Sequence, residues 1–296
     1  MKTKKVNFRQ DIASIDSSLY NPRFLEKLTA MLYQENSKFS KFSITKQGED
    51  IGKFSIPYIL ERSSQPHKAY PSKKVYSFED YKDASTKPMD LYDAIQRRRS
   101  GRDYSNYPIS LSELYQVLHF SYGITGEAPI QGVEGTWSYR AVPSGGALYP
   151  LEIYLYINQS SLPRGIYHYR PDKPGIELID ENDHMDKLRK ILVAEPYVNL
   201  PKSSCVVFIS SVFERTLLKY GERGFRFILQ EVGFVSQNIS LICEALGLSS
   251  CMIGSYIDDQ VNKLLQADGC LESIQNVIII GKENQKEKEE KCQVLQ

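Results

Sequence analysis

A single tryptophan, four histidines and five cysteines among 296 residues leave little room for several familiar chemistries. Cys205, Cys243, Cys251, Cys270 and Cys292 are odd in number and form no C-x-x-C pair, so they fit neither a disulfide framework nor a zinc site. His67, His119, His168 and His184 are scattered, without the spacing that sets two imidazoles on one helix face, and no metal is expected. No apolar run reaches the roughly 20 residues of a membrane-spanning helix. The basic start MKTKK is not followed by the apolar core of a secretory signal, so a cytoplasmic protein off the membrane is expected. Charge of one sign is also missing. Against 37 Lys and Arg stand 36 Asp and Glu, which argues against binding nucleic acid through bulk positive charge. Neither a G-x-G-x-x-G turn nor a G-K-[ST] phosphate loop is present.

What the chain has in excess is tyrosine, 20 residues beside 12 phenylalanines, which suits either core packing or a tyrosine-lined pocket. Three zones divide it. Residues 1–84 are polar and irregular, with 15 basic against 10 acidic side chains. Asn21 and Pro22 there offer a helix start leading through Phe24, Leu25, Leu28 and Leu32. Pro66, Pro71 and Pro88 punctuate the exit and mark a linker. This zone reads as an extension, either wrapping the main domain or forming a peptide-handling or dimer-forming module. Residues 85–283 alternate helical and strand patterns, an α+β or α/β arrangement. Residues 284–296 are Lys/Glu-rich and read as a solvated tail.

Within the middle zone, helices are expected at 90–99, with Leu91, Ala94 and Ile95 on one face, and from Ser110, whose S-x-x-E spacing to Glu113 is a capping box. Strands are expected at 151–157, 166–169, 205–210, 251–253 and 277–280, with a helix capped by Asp258 between the last two. The clearest element is a long helix, where Phe225, Ile228, Leu229, Val232, Val235, Ile239, Ile242 and Leu246 recur at helical spacing before Gly247.

Four segments could carry chemistry. Arg97, Arg98, Arg99, Ser100, Gly101 and Arg102 concentrate guanidinium groups and a hydroxyl at a helix end, which suits a phosphate as well as a solvated helix C-terminus. The stretch PSGGALYP, residues 143–150, sets two glycines between prolines ahead of a strand, either a plain turn or a loop allowing a flat ligand to approach backbone N–H groups. Lys219 and Tyr220 adjoin just before Gly221, a surface pair unless burial or neighbouring cations let one of them accept a proton near neutrality. The run 247–255 reads as a helix stop followed by a buried strand.

In this order the segments resemble the nitroreductase superfamily of flavin enzymes, and within it the SagB-type branch of thiazole/oxazole-forming dehydrogenases. The resemblance rests on R-x-S-x-R (Arg98, Ser100, Arg102), PSGGALYP, GIYHY (165–169), EVGFVSQN (231–238) and ALGLSSCMIG (245–254), covering 88–282. It implies a three-layer α/β/α domain with a central, mostly antiparallel sheet, FMN as cofactor, and a homodimer built on the helix 224–246. Arg98, Ser100 and Arg102 would hold the phosphate. Pro143, Ser144, Gly145 and Gly146 would approach the flavin ring, with Gln237, Asn238, Gly254 and Lys282 also near the cofactor. Lys219 and Tyr220 would be catalytic. The Asn and Gln-Pro-Trp common in ordinary nitroreductases are missing from the loop, and Phe225 stands where Tyr is frequent. The implied activity is oxidation of thiazolines or oxazolines in a ribosomally made peptide, alongside cyclodehydratase partner proteins. An NAD(P)H-dependent flavin or nitro-reductase and a flavin-free scaffold subunit are the alternatives.

Overall fold

Leu151, Ile153, Leu155 and Ile157 turn to one side of their strand while Tyr154 and Tyr156 turn to the other, and all six are buried. A strand covered on both faces reads as a continuous apolar run rather than an alternation. The computed structural model describes residues 28–64, 66–70, 73–81, 89–130 and 134–283. The expected helix start at Asn21 and Pro22, the linker prolines Pro71 and Pro88, and the tail 284–296 with Cys292 lie outside them. The chain forms two compact units, 1–49 and 50–296. In the first, helix α1 (Thr29–Asn36) buries none of its residues, and α2 (Lys41–Lys53) begins.

The second unit carries α3 (Pro57–Ser64), α4 (Leu91–Arg97), α5 (Leu111–Tyr122), α6 (Met185–Ile191), α7 (Glu214–Tyr220), α8 (Gly224–Ala245) and α9 (Asp258–Leu265). Its strands are β1 (Val75–Ser77), β2 (Ile124–Pro129), β3 (Thr136–Arg140), β4 (Leu151–Ile157), β5 (Gly165–Arg170), β6 (Gly175–Asp180), β7 (Cys205–Val212), β8 (Ser249–Ile253) and β9 (Glu272–Gly281). The main sheet runs β1-β6-β5-β4-β7-β9-β8, with every neighbouring pair antiparallel. β2 and β3 form a separate hairpin. Strand β1, from the zone ahead of residue 85, closes one edge of the sheet against β6.

Two apolar cores give the fold its layers. On one face, Leu114 and Leu118 of α5 and Ile228, Val232, Val235 and Ile239 of α8 pack with Val207, Ile209, Ile278 and Ile280 of the sheet. On the other, Leu188 and Ile191 of α6 and Val261, Leu264 and Leu265 of α9 pack with Val206, Phe208, Val277 and Ile279. Each such side chain contributes about 1.5–3 kcal/mol on leaving water. The architecture is the expected α+β domain with helices on both faces of an antiparallel sheet.

Several boundaries differ from expectation for identifiable reasons. β7 runs on through Ser211 and Val212, and β9 starts at Glu272, because the two strands pair there, Ser211 opposite Ser273 and Val212 opposite Glu272, and polar side chains along β9 find partners. Ser210 Oγ donates to Glu272 Oε1 at 2.6 Å, and Asn276 Nδ2 donates to Ser236 Oγ at 2.8 Å. The capping box of Ser110 and Glu113 is formed as expected. Asp258 is a first-turn residue rather than a cap, where its charge meets the positive end of the helix. α4 is shorter than 90–99, beginning after its cap Asp90 and ending where Arg98 leaves helical geometry. Its apolar face is not core: Ala94 is buried, but Leu91 and Ile95 are 60% and 54% exposed.

Candidate active site

The loop 143–150 is held in a conformation that few side chains adopt. Gly146, Ala147 and Tyr149 have φ of 67°, 54° and 40°, and for the two non-glycine residues this carries strain. Hydrogen bonds keep the turn closed. Ser144 Oγ accepts from the Tyr149 amide at 2.9 Å, and the Tyr149 hydroxyl accepts from the Arg140 amide at 3.0 Å.

Lys219 and Tyr220 form the last turn of α7, which stops at Gly221, and they meet this loop. A methyl group on Gly146 would sit 2.6 Å from Tyr220 Oη and 2.9 Å from Lys219 Nζ, so any side chain there would push the two groups off the turn. One on Gly145 would sit 3.1 Å from the Phe227 ring, which meets Tyr220 edge-on at a centroid distance of 5.1 Å. Lys219 Nζ lies 5.1 Å from the Phe54 ring centroid, in cation–π range. Burial pushes the Lys219 pKa down and the Tyr220 pKa up. The lysine therefore moves toward the neutral amine a base requires, and the phenol moves away from ionisation. Of the residues named from sequence, Gly145, Gly146, Lys219 and Tyr220 thus come together, with Ser144 bracing their loop.

A second group assembles elsewhere. Gly101 packs so closely that a methyl would collide with Ser249 Cβ and stand 2.8 Å from Glu283 Cδ. Its requirement is close approach rather than turn freedom. The segment runs along the free edge of β8, where Ser100 bridges Ser250 in parallel and Gly101 N donates to Ser250 O at 3.1 Å. Arg102 N donates to Glu283 Oε1 at 3.0 Å, and the Lys282 carbonyl accepts from Ser105 N at 2.9 Å. Among the described residues no carboxylate forms an ion pair with the Arg98 or Arg102 guanidinium. Arg97, by contrast, lies 3.8 Å from Glu244 Oε1, and Arg99 donates to the carbonyls of Gln96 and Arg98. The Lys282 ammonium lies 4.5 Å from the Tyr107 ring centroid. Gly254 follows the end of β8 and is exposed.

Helix α8 separates the two groups. Phe227 in its first turn touches the glycine loop, while Glu244 near its last residue meets Arg97. Along a helix that interval spans about 25 Å. Between them, Gln237 is exposed and Asn238 donates to the carbonyls of Phe120 and Ala141 at 3.5 and 3.4 Å, tying the chain before the loop to α8.

With this geometry in place, the family model "Nitroreductase family" matches residues 95–282. The chain belongs to the nitroreductase family. It is 33% identical over 177 residues to a Methanocaldococcus jannaschii protein named as a nitroreductase, covering 60% of this chain and 84% of that one. It is 32% identical over 134 residues to the Escherichia coli microcin B17-processing protein McbC, covering 44% of this chain but 49% of McbC. Among solved structures, an Anabaena variabilis nitroreductase superposes with a TM-score of 0.67 at 24% identity, over 85% of this chain and 45% of that one. The E. coli microcin synthetase McbBCD complex with truncated pro-MccB17 superposes with a TM-score of 0.54 at 21% identity, over 83% and 98%. Nitroreductase-family proteins are flavin-dependent, and membership assigns the chain to the oxidoreductases. No helix among the described residues is long and apolar enough to cross a membrane.

Three features of this nitroreductase site were not anticipated from sequence. Glu231 of α8 is buried beneath the glycine loop, accepting from the Tyr122 hydroxyl at 2.8 Å and hydrogen-bonded to Ser144. Burial pushes its pKa up to about 7, against the opposing pull of Ser144, Tyr122 and Arg140. Its only sequence signal was a carboxylate on the apolar face of a long helix.

The second is a chain of buried charges. Arg215 donates to Glu152 at 2.5 Å, Glu152 pairs with His168 at 2.7 Å, His168 with Glu177 at 3.3 Å, and Glu177 with Arg170 at 2.6 Å. Alone, burial would raise Glu152, but Arg215 and His168 hold its carboxyl well below the ordinary range. For His168, burial would lower the pKa, and Glu152 and Glu177 outweigh it and raise it. The third is a cavity of about 840 Å³ beside α7, lined by Phe54, Tyr58, Leu148, Arg215, Leu218 and Leu271 among others.

Proposed function

We propose that this protein is an FMN-dependent dehydrogenase that oxidises thiazolines or oxazolines within a peptide to thiazoles or oxazoles. The observation that carries the reading is the convergence of Lys219 and Tyr220 on the Gly146 turn, so close that a methyl there would stand 2.6 and 2.9 Å from their polar atoms. Two guanidinium groups without acid partners among the described residues, Arg98 and Arg102, beside the Ser100 hydroxyl form a donor set that fits a phosphate monoester. They would hold the FMN phosphate, with Lys282 adding charge in the same region, while Gly145, Gly146, Gln237, Asn238 and Gly254 would line the remainder. Bound FMN would supply the hydride acceptor.

The chain's own task is then to hold the azoline ring flat and to take its proton. Lys219, shifted by burial toward the neutral amine, accepts the proton at Nζ. Tyr220, shifted the other way, keeps its hydroxyl proton and orients the ring by donating a hydrogen bond. The cavity beside Leu218 offers space for the peptide flanking the ring, in keeping with a peptide-processing relative, McbC, and the McbBCD complex with its bound peptide. Cyclodehydratase partners belong to the same reading.

A homodimer completes the site. The two residue groups are farther apart along α8 than a flavin ring and its own phosphate. Leu229 and Phe234 of α8 are 47% and 44% exposed, apolar side chains that a second copy would cover. In a two-fold pair with antiparallel α8 helices, the glycine loop of one copy faces the arginine segment of the other.

Purified protein loaded with FMN and given a thiazoline peptide should form the thiazole. Lys219→Ala should abolish turnover and Tyr220→Phe should reduce it, both retaining the flavin spectrum, and wild-type rates in both would overturn the assignment. The likeness to a named nitroreductase supports a second reading, a reductase drawing electrons from NAD(P)H. Rapid bleaching of the flavin by NADPH without peptide would favour it.

A further inference from the structure

We infer that Arg215 is a positioning residue, a clamp that fixes Lys219 against the Gly146 turn. Its consequence for turnover rests on the dehydrogenase reading, whereas the clamp itself is defined by contacts.

Helix α7 has seven residues, and its cap residue Phe213 makes no side-chain cap bond. So short a helix does not hold its own shape in water, and its placement must come from tertiary contacts. Arg215 and Lys219 stand one helical turn apart and share a face. Both meet the loop 143–150. Arg215 Nη1 donates to the Tyr149 carbonyl at 3.3 Å, at the end of the loop, and Lys219 Nζ lies against Gly146 near its middle. The other arm, Nη2, donates to Glu152 Oε1 at 2.5 Å, two residues into β4. Nη1 also reaches the Pro66 carbonyl at 3.3 Å. One guanidinium therefore joins α7 to the sheet, to the loop ahead of β4 and to the segment 66–70.

Its main anchor is itself immobilised. Glu152 is 2% exposed, its Oε1 accepts from the Lys68 amide at 2.8 Å, and its Oε2 pairs with His168 at 2.7 Å. Because guanidinium presents a rigid fork of donors, it can satisfy the carboxylate with one arm and two carbonyls with the other. An ammonium is a single point and reaches the carboxylate or the carbonyls, but not both. Arg140 reinforces the arrangement from the opposite side, donating to the same Pro66 carbonyl at 2.6 Å. The clamp thus governs how closely the Lys219 amine approaches the loop and how far it is withdrawn from water.

The test compares Arg215→Gln and Arg215→Lys in the FMN-loaded protein, using two independent readouts. The first is the pH dependence of Lys219 acetylation by acetic anhydride, followed by mass spectrometry, which reports that amine's own titration. Wild type should titrate below the ordinary lysine value of about 10.4. Both variants should shift toward that value, Arg215→Lys included, although it keeps the Glu152 ion pair and should melt close to wild type. The second is the kcat and KM split with a thiazoline peptide. In both variants kcat should fall by about tenfold or more with KM little changed. An unchanged Lys219 titration in both variants, or full restoration of kcat by Arg215→Lys, overturns the clamp. A wild-type protein that holds FMN but does not oxidise the ring overturns the dehydrogenase reading instead, while the acetylation curves still decide whether Arg215 positions Lys219.

Discussion

Tyr122 donates its hydroxyl proton to Glu231 Oε1 at 2.8 Å, joining α5 to α8 where neither side chain reaches solvent. The Tyr122 hydroxyl oxygen in turn accepts from the Leu151 amide at 3.1 Å, so the first residue of β4 is tied to the bond. Arg140 lies over the Tyr122 ring at 4.3 Å from its centroid, and Ser144 reaches the carboxyl from the glycine loop. The base of the candidate site is thus a polar knot inside an apolar layer. Such knots are costly when left half satisfied.

Glu231 makes stability depend on pH. Its folded pKa of about 7 lies above the unfolded value, so the folded state keeps its proton longer. Stability should be greatest below the unfolded value of about 4.3 and fall as pH rises toward 7, by a total on the order of 3 kcal/mol. Glu231→Gln should flatten this portion of a melting-temperature profile between pH 5 and 8. An unaltered profile would show that the carboxyl does not titrate there.

His168 contributes with the same sign for a different reason. Its folded pKa is raised by two flanking carboxylates, so its contribution is complete below the unfolded value and fades as pH climbs through the folded one. His168→Gln leaves Glu152 and Glu177 without the cation between them, and the loss should be about 3–5 kcal/mol. Denaturant melts should show that loss largest at pH 6 and smaller at pH 9.

Gly146→Ala should separate folding from chemistry. The methyl group meets Tyr220 Oη and Lys219 Nζ, flexible side-chain ends that can give way. The left-handed backbone adds a stability cost of about 1 kcal/mol. The protein should therefore fold with a slightly lowered Tm while azoline turnover falls by about tenfold or more. Wild-type turnover would mean that the pair does not work against this turn.

Arg98→Ala and Arg102→Ala should weaken FMN. A charge-assisted bond to phosphate is worth about 1.5–3 kcal/mol, so each change should raise the FMN Kd by roughly tenfold or more. Fluorescence titration of the stripped protein measures this directly. Unchanged affinity in both would move the phosphate elsewhere.

Legibility from sequence followed the physics of each element. β4 and α8 were readable to within a residue or so because apolar side chains at period two or 3.6 leave an unambiguous pattern. Pattern failed where polar residues were buried. Glu272 looked like a residue outside the strand but is buried within it, its cost offset by Ser210, Tyr154 and Lys68, each more than sixty residues away in the chain. In the candidate site, the glycines and the Lys219-Tyr220 pair were visible as local motifs, but their meeting depends on α7 packing against a loop some 70 residues earlier. Glu231 and Arg215 lay inside segments the sequence singled out but received no role, for the same reason. A lone charge acquires meaning only through groups that distant parts of the chain bring to it.

The division of the candidate site along α8 has a genetic consequence. In the proposed pair, each site draws its arginine segment from one subunit and its glycine loop with Lys219 from the other. A chain lacking Arg98 and Arg102 and a chain lacking Lys219 would each be inactive alone. Refolded together, mixed pairs would concentrate all lesions in one site and leave the other intact, restoring about a quarter of wild-type activity under random pairing.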